Sequence, residues 1–363
     1  MPENSTLLTE YGWNATLSNI FGALDSPGVV AGRVIRVDRG QCDVAVAAGT
    51  VRTLSGSNSL CTGDWVTVAN ATSETETPTV TSIFPRSSSI VRSSASGKSE
   101  GHILAANVDT VVITTAADGD VDLGRIERLL ALTWESGATP VVALTKSDAA
   151  HNIFTLLTEV SAIAPGATVL AVSAETGEGM DVLDAVLDGT VAILGPSGAG
   201  KSTLANALLA GRGRLETGSV LETGSVLETG RVRTGDGKGR HTTVTRELIP
   251  FSGGRTLIDT PGLRGVGMWN AGEGIDKTFP EIEEFVSSCR FSDCAHHSEP
   301  GCAVLGALER GDIDERRLRS YRKLQRENAW NAARGDARLQ AERAREVKAL
   351  SRRIKDHYRG RRQ

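Results

Sequence analysis

Gly195-Pro196-Ser197-Gly198-Ala199-Gly200-Lys201-Ser202 decides the fold of this 363-residue chain. The octet satisfies G-x-x-x-x-G-K-[ST], in which glycines let the backbone curl until successive N–H groups converge on a phosphate. Lys201 is then placed to reach the β- and γ-phosphates, and the Ser202 hydroxyl to ligate Mg²⁺. Taken alone the pattern is a glycine-rich turn; its surroundings make it a phosphate loop. Thr190 to Leu194 is an apolar run of strand length directly before it, and Thr203-Leu204-Ala205-Asn206-Ala207-Leu208-Leu209 is a helix-forming run directly after it. Strand, loop and helix in that order predict an α/β domain with phosphates held at a helix N-terminus, Thr203 included in the contact set.

Two further motifs flank the loop, and the guanine-recognition one lies on the wrong side of it. Asp259-Thr260-Pro261-Gly262 follows some sixty residues later at the end of the strand run Leu257-Ile258. Asp259 is expected to hold Mg²⁺ through water, and the Gly262 N–H to contact the γ-phosphate. Thr145-Lys146-Ser147-Asp148 precedes the loop by some fifty residues and reads as a guanine-recognition motif. The Asp148 carboxylate can accept two hydrogen bonds from a guanine edge, which adenine cannot donate, and Lys146 would pack along the base. An unpaired buried carboxylate is what would reject ATP. Asparagine is usual where Thr145 stands; its hydroxyl can still bridge to the phosphate loop. Ser173-Ala174, after the strand run ending at Val172, suits the loop that supports the guanine oxygen. The order is thus guanine, phosphate, switch, which is a circular permutation.

Gly239-Arg240-His241-Thr242-Thr243 is the candidate first switch, with Thr242 or Thr243 covering Mg²⁺ and the γ-phosphate. GTPases of the Ras type orient the attacking water with a glutamine just after the aspartate motif, but this chain has Leu263. An apolar side chain cannot do that, and His241 is the catalytic candidate. Between phosphate loop and switch, Leu215-Glu216-Thr217-Gly218-Ser219-Val220 recurs at 221–226 and, with Arg231 for serine, at 227–232. Three hexapeptides are too short for a solenoid and read as a duplicated loop insertion.

Around this domain the pattern changes twice. From Gly28 to about Ile90, four short β-type runs (29–35, 42–46, 64–68 and 79–84) alternate with turn residues and predict a small barrel, preceded by a loosely docked lead over 1–27 and followed by a loop over 86–101. Strand runs at 108–115, 140–144 and 168–172 alternate with helical runs at 123–135 and 153–163, the doubly wound pattern. In the mostly helical last hundred residues Cys289, Cys294, His296 and Cys302 form C-x₄-C-x-H-x₅-C, a donor set for a closed structural zinc site. His297 is offset and reads as surface; Cys42 and Cys61 read as small core residues on barrel strands. The net charge of −4 hides an asymmetry. Residues 311–363 carry 17 Lys and Arg against 8 Asp and Glu, whereas 1–310 carries 23 against 36. A basic tail on an acidic body fits a polyanionic partner, RNA included, and equally a solvated, ion-paired helix. No run approaches the roughly 20 apolar residues of a membrane span, and MPENSTLLTEYG lacks the basic-then-apolar pattern of a secretory signal, so a cytoplasmic protein is expected.

These residues together resemble the RsgA (YjeQ) family of circularly permuted GTPases. The resemblance runs from about Val29 onward. It rests on the barrel, the Asn107-Val108-Asp109 lead into a strand, the permuted motifs, GRHTT, DTPGLR and CRFSDCAHHSEPGCAV. It implies an OB-fold barrel (28–100), a permuted P-loop GTPase domain (101–266) and a zinc-binding helical domain with a basic tail (267–363). It also implies a monomer that hydrolyses GTP to GDP, acts in late maturation of the 30S subunit, contacts 16S rRNA and is stimulated by the subunit. The family's zinc ligands fall on Cys289, Cys294, His296 and Cys302, and its switch histidine on His241. Two other functions compete: a zinc-containing RNA-binding protein that uses GTP only as a conformational ligand, and a permuted GTPase of another ribosomal particle.

Overall fold

The computed structural model describes residues 6–24, 28–56, 60–69, 77–92, 102–210, 246–258 and 271–331. Strands β1 Val29–Val37, β2 Gln41–Val46, β3 Gly49–Leu54, β4 Trp65–Ala69 and β5 Thr79–Ile83 close into a barrel in the order β1-β2-β3-β5-β4. Val34, Val44, Val66, Val68 and Val80 fill it, the alternating set that the β-branched runs predict. β3 has no counterpart among the four predicted strands, because its side chains are largely solvent-facing and leave no apolar run. Cys42 lies on β2, but Cys61 sits in the turn before β4, where its N–H bonds the buried Asp64 carboxylate at 2.8 Å. Two corrections concern the ends of the barrel. Within the expected loose lead, α1 Thr6–Glu10 and α2 Ala15–Ala23 are helices seated on the barrel. Leu8 is buried with Trp65 and Phe84, and Trp13 meets Trp65 edge-on at 5.3 Å. A few large apolar anchors hold this short segment, too few to give a periodicity. Within the expected loop, β6 Ser89–Arg92 pairs antiparallel with β7 His102–Ala106.

β8 Thr110–Ala116, β9 Thr139–Thr145, β10 Thr168–Val172, β11 Thr190–Leu194, β12 Leu248–Phe251 and β13 Arg255–Ile258 form one sheet in the order β10-β9-β8-β11-β13-β12. All neighbours are parallel except the edge strand β12. Period-two alternation splits the strands between two cores. Val111, Ile113, Val142 and Leu144 face α3 Leu123–Ser136 and α4 Ile153–Ile163. Val112, Val141, Ala143, Val191 and Ile193 face α5 Met180–Val186 and α6 Lys201–Ala210.

Arg33 of β1 joins barrel to sheet. Its guanidinium, buried over the Trp65 ring, donates to Thr190 Oγ1 at 2.6 Å and to the Tyr11 carbonyl. Burial pulls its pKa down to about 10, against the attraction of Asp109 and Asp64. Against helix α3, α7 Gly272–Thr278, α8 Pro280–Val286, α9 Ala303–Arg310 and a helix over 315–331, α10, build a third core around Phe279, Ile282 and Val304. This core reaches α3 through Ala131. Gly274 makes that approach possible, since a Cβ there would lie 2.0 Å from the Ala131 carbonyl oxygen. Among the described residues no helix is long and apolar enough to cross a membrane.

Candidate nucleotide site and metal centre

Parallel strands put all their C-terminal ends on one side, so the segments after β9, β10 and β11 meet although they are far apart in sequence. The helices after β8 and β11 cover opposite faces, which opens a crevice between those two strands. The phosphate loop occupies it. Gly195, Gly198 and Gly200 all have positive φ. At Gly195 a Cβ would stand 2.4 Å from the Thr114 carbonyl oxygen, so only glycine lets the loop leave the strand. The Lys201 ammonium folds back over the loop, bonding the carbonyls of Gly195 at 2.9 Å and Pro196 at 2.5 Å.

The base motif is tied to the same loop. Thr145 is buried, and its hydroxyl lies 3.0 Å from the Ala199 carbonyl and 3.2 Å from that of Thr115. Here threonine makes the bridge expected of it in place of asparagine. Lys146 adopts left-handed backbone geometry, φ 57°, before the short 3₁₀ turn Ser147–Ala149. Thr145, Lys146, Asp148, Ser173, Ala174, Gly200 and Thr203 line a cavity of ≈ 210 Å³, so residues from three separate segments of the predicted set converge. Ser173 is held by backbone bonds to Glu178 and Gly177, which fix the turn after β10. Pro196, Ser197 and Ala199 line a neighbouring cavity of ≈ 280 Å³ with the loop after β8. Asp118, in that loop, carried no sequence signal; its carboxylate meets the Lys146 ammonium at 2.7 Å. His241, Thr242, Thr243, Asp259, Gly262, Leu263, the hexapeptide repeat and the tail beyond 331 lie outside the described residues.

The four predicted metal ligands do come together, with donor atoms all within 4.8 Å of one another. The spacing can be tested against a metal. Zinc bonds of about 2.3 Å to sulfur and about 2.0 Å to nitrogen, at tetrahedral angles, give edges of about 3.8 Å between sulfurs and about 3.5 Å between sulfur and nitrogen. Cys289 and Cys302 sulfurs stand 3.9 Å apart, and His296 Nδ1 is 3.6 and 3.5 Å from them. These three donors therefore stand at tetrahedral spacing, and the Cys294 sulfur lies within 4.8 Å of each. Cys302 caps α9, its sulfur accepting the Leu305 N–H at 3.4 Å. Burial opposes ionisation of Cys289, but the Val304 and Ala303 N–H groups at the same helix start hold its thiol below the ordinary value. Glu299 braces the turn by accepting the N–H groups of Ala295, His297 and Ser298, and its own N–H, the largest influence, together with these bonds pulls its pKa to about 2. His297 is exposed and stands outside the donor group, as its offset predicted.

The profile of the RsgA GTPase family matches residues 83–269. The chain is 51% identical to the small ribosomal subunit biogenesis GTPase RsgA of Streptomyces avermitilis, over 92% of this chain and 89% of that protein. It is 49% identical to the protein of that name in Streptomyces coelicolor, over 95% and 93%. Among solved structures, YjeQ from Thermotoga maritima superposes with a TM-score of 0.59 at 24% identity, covering 82% of this chain and 97% of that one. YloQ, described as a circularly permuted GTPase, gives 0.57 at 20% identity, covering 84% and 96%.

Proposed function

The chain belongs to the RsgA GTPase family, and from that premise we propose that it hydrolyses GTP while bound to the small (30S) ribosomal subunit, assisting late maturation of that particle. One observation carries the reading most directly: Thr145 of the base motif is hydrogen-bonded to Ala199 of the phosphate loop. That contact joins base recognition to phosphate recognition despite their reversed order in the chain. The barrel, whose strand order suits an OB-fold, and the C-terminal helices flank the GTPase domain, with divisions near 28–100, 101–266 and 267–363. In this reading the tetrahedral donor set holds one structural Zn²⁺. The basic C-terminal residues contact 16S rRNA phosphates, and the protein works as a cytoplasmic monomer.

The phosphate-loop N–H groups cradle the β-phosphate, Lys201 swings from its carbonyl partners to the β- and γ-oxygens, and Asp148 reads the guanine edge above the Ser173-Ala174 turn. Ser202 and Asp259 would hold Mg²⁺, which supplies charge neutralisation at the phosphates. Thr242 or Thr243 and the Gly262 N–H sense the γ-phosphate, and His241 orients the attacking water in place of the missing glutamine. Lys201 makes charge-assisted bonds that no other side chain of the loop supplies, each worth about 1.5–3 kcal/mol. Lys201→Ala is therefore expected to weaken GTP binding by about ten- to a hundredfold, read by fluorescent-nucleotide titration. The function itself is tested by GTP hydrolysis with the protein alone, with 30S and with 50S subunits. Strong stimulation by 30S alone is the expected result; equal rates in all three overturn the assignment.

A further inference from the structure

We propose that Asp118 is a positioning residue of the guanine pocket, acting through Lys146; the inference rests on reading residues 145–148 as the base motif. Lys146 lines both cavities at the sheet's C-terminal end, the ≈ 210 Å³ one with Asp148 and Ser173 and the ≈ 280 Å³ one beyond it. Its side chain is thus the partition between them. Asp118 lines only the second, so it has no place against the base, yet its carboxylate holds the Lys146 ammonium at 2.7 Å from the far side. The two residues are brought to this distance by the backbone: the Ala117 N–H bonds the Thr145 carbonyl at 2.8 Å, one residue before each partner.

Lysine is a point charge on a flexible four-carbon stem, with nothing in its own chemistry to hold the stem flat against a base. The left-handed backbone at Lys146 aims the side chain, and the anchored ammonium fixes its other end. A stem pinned at both ends is a wall; a stem pinned at one end samples rotamers and must be reordered each time a nucleotide enters. Lys146 acts on the base, which GDP and GTP share, so both nucleotides should feel the loss of the pair alike.

The test is a double-mutant cycle with fluorescent GDP on the full chain, using Asp118→Asn, Lys146→Met and the double variant. About two fifths of each side chain is open to solvent, so the coupling is modest. Asp118→Asn is expected to weaken GDP and GTP about two- to fivefold, to raise KM with kcat at saturating GTP held, and to be rescued by Asp118→Glu. In the Lys146→Met background the Asn substitution should add nothing. Unchanged GDP affinity in Asp118→Asn overturns the proposal, as does an equal further loss in the double variant or a fall in kcat alone. If Lys146→Met by itself leaves GDP affinity intact, the base-pocket reading fails first and takes this inference with it.

Discussion

Stripping the metal from the C-terminal unit is expected to unfold the turn over 289–302 and loosen the helices on either side of it, while GDP binding stays within about twofold of the loaded protein. The argument is one of what else holds that turn. Between Ser288 and Cys302 the described backbone has no helix or strand, so its N–H and C=O groups have few regular partners. Glu299 satisfies three N–H groups, and Arg322 donates to the His296 carbonyl. His296 is held at φ 58°, a backbone conformation that a non-glycine residue keeps only when its surroundings fix it. Removing the ion leaves three thiols and an imidazole crowded together with nothing to share. Structural zinc contributes about 10–16 kcal/mol in small peptides that have no other core. Here Phe279, Ile282 and Val304 supply a core of their own, so part of that energy is lost rather than all of the fold. Cys302→Ala should be more severe than chelation, because it also removes the side-chain cap of α9. Limited proteolysis and hydrogen exchange across 271–331, with metal content measured on the same sample, check this. Unchanged protection after complete metal removal would show the site to be dispensable for the fold.

How far such features were readable in the sequence depended on how local their causes are. The phosphate loop was legible because its glycines answer to backbone geometry within eight residues, and because strand and helix runs adjoin it. The inner sheet strands were legible because burial on both faces makes them apolar, as in Val111-Val112-Ile113, whereas the antiparallel edge strand β12 matched none of the expected runs. β3 was not, since Gly49–Leu54 turns most of its side chains to solvent. The metal ligands were legible from donor type and spacing. What the spacing could not give was the brace: Glu299 is an ordinary acidic residue until the turn folds its carboxylate under three N–H groups. Asp118 and Lys146 are 28 residues apart, and Glu127 and Arg317 are 190 apart. No periodicity links such pairs, so only the topology reveals them.

Glu127 provides the second large expectation. It is fully buried on α3 and collects Arg317 at 2.7 Å, Arg316 at 2.9 Å and the Ser320 hydroxyl, all from α10. Arg317 is buried as well. Its other N–H groups go to Glu281 at 2.7 Å, to the Thr278 carbonyl at 2.8 Å and to the Ile163 carbonyl at 3.3 Å, and its guanidinium lies 4.3 Å over the Phe279 ring. Burial opposes the charge on Arg317, but Glu281 and Glu127 outweigh it and hold the pKa above the ordinary value. Glu127→Ala removes one of the two carboxylates and leaves a dehydrated guanidinium facing a cavity. Breaking one side of a buried pair costs about 3–5 kcal/mol, far more than the pair's net contribution would suggest. The companion variant Glu127→Met with Arg317→Met should recover much of that loss, because replacing both charges by apolar side chains removes the desolvation cost along with the attraction. Chemical denaturation followed by signals from the C-terminal unit decides it, and a loss below about 1 kcal/mol in Glu127→Ala would mean that Glu281 alone neutralises Arg317. A functional consequence follows from where α3 begins. Its first turn is capped by Asp122, in the same loop as Asp118, and Arg128 near its middle pairs with Glu327 of α10 at 2.5 Å. One helix thus runs from the nucleotide end of the sheet to the C-terminal unit. Loosening its grip on α10 should leave GDP affinity unchanged in the free protein while lowering stimulation by 30S subunits, if a particle bound at the C-terminal unit acts on the site through that joint. Full stimulation in a Glu127→Ala protein that has measurably lost stability would place the path elsewhere, in the segment that connects β13 directly to α7.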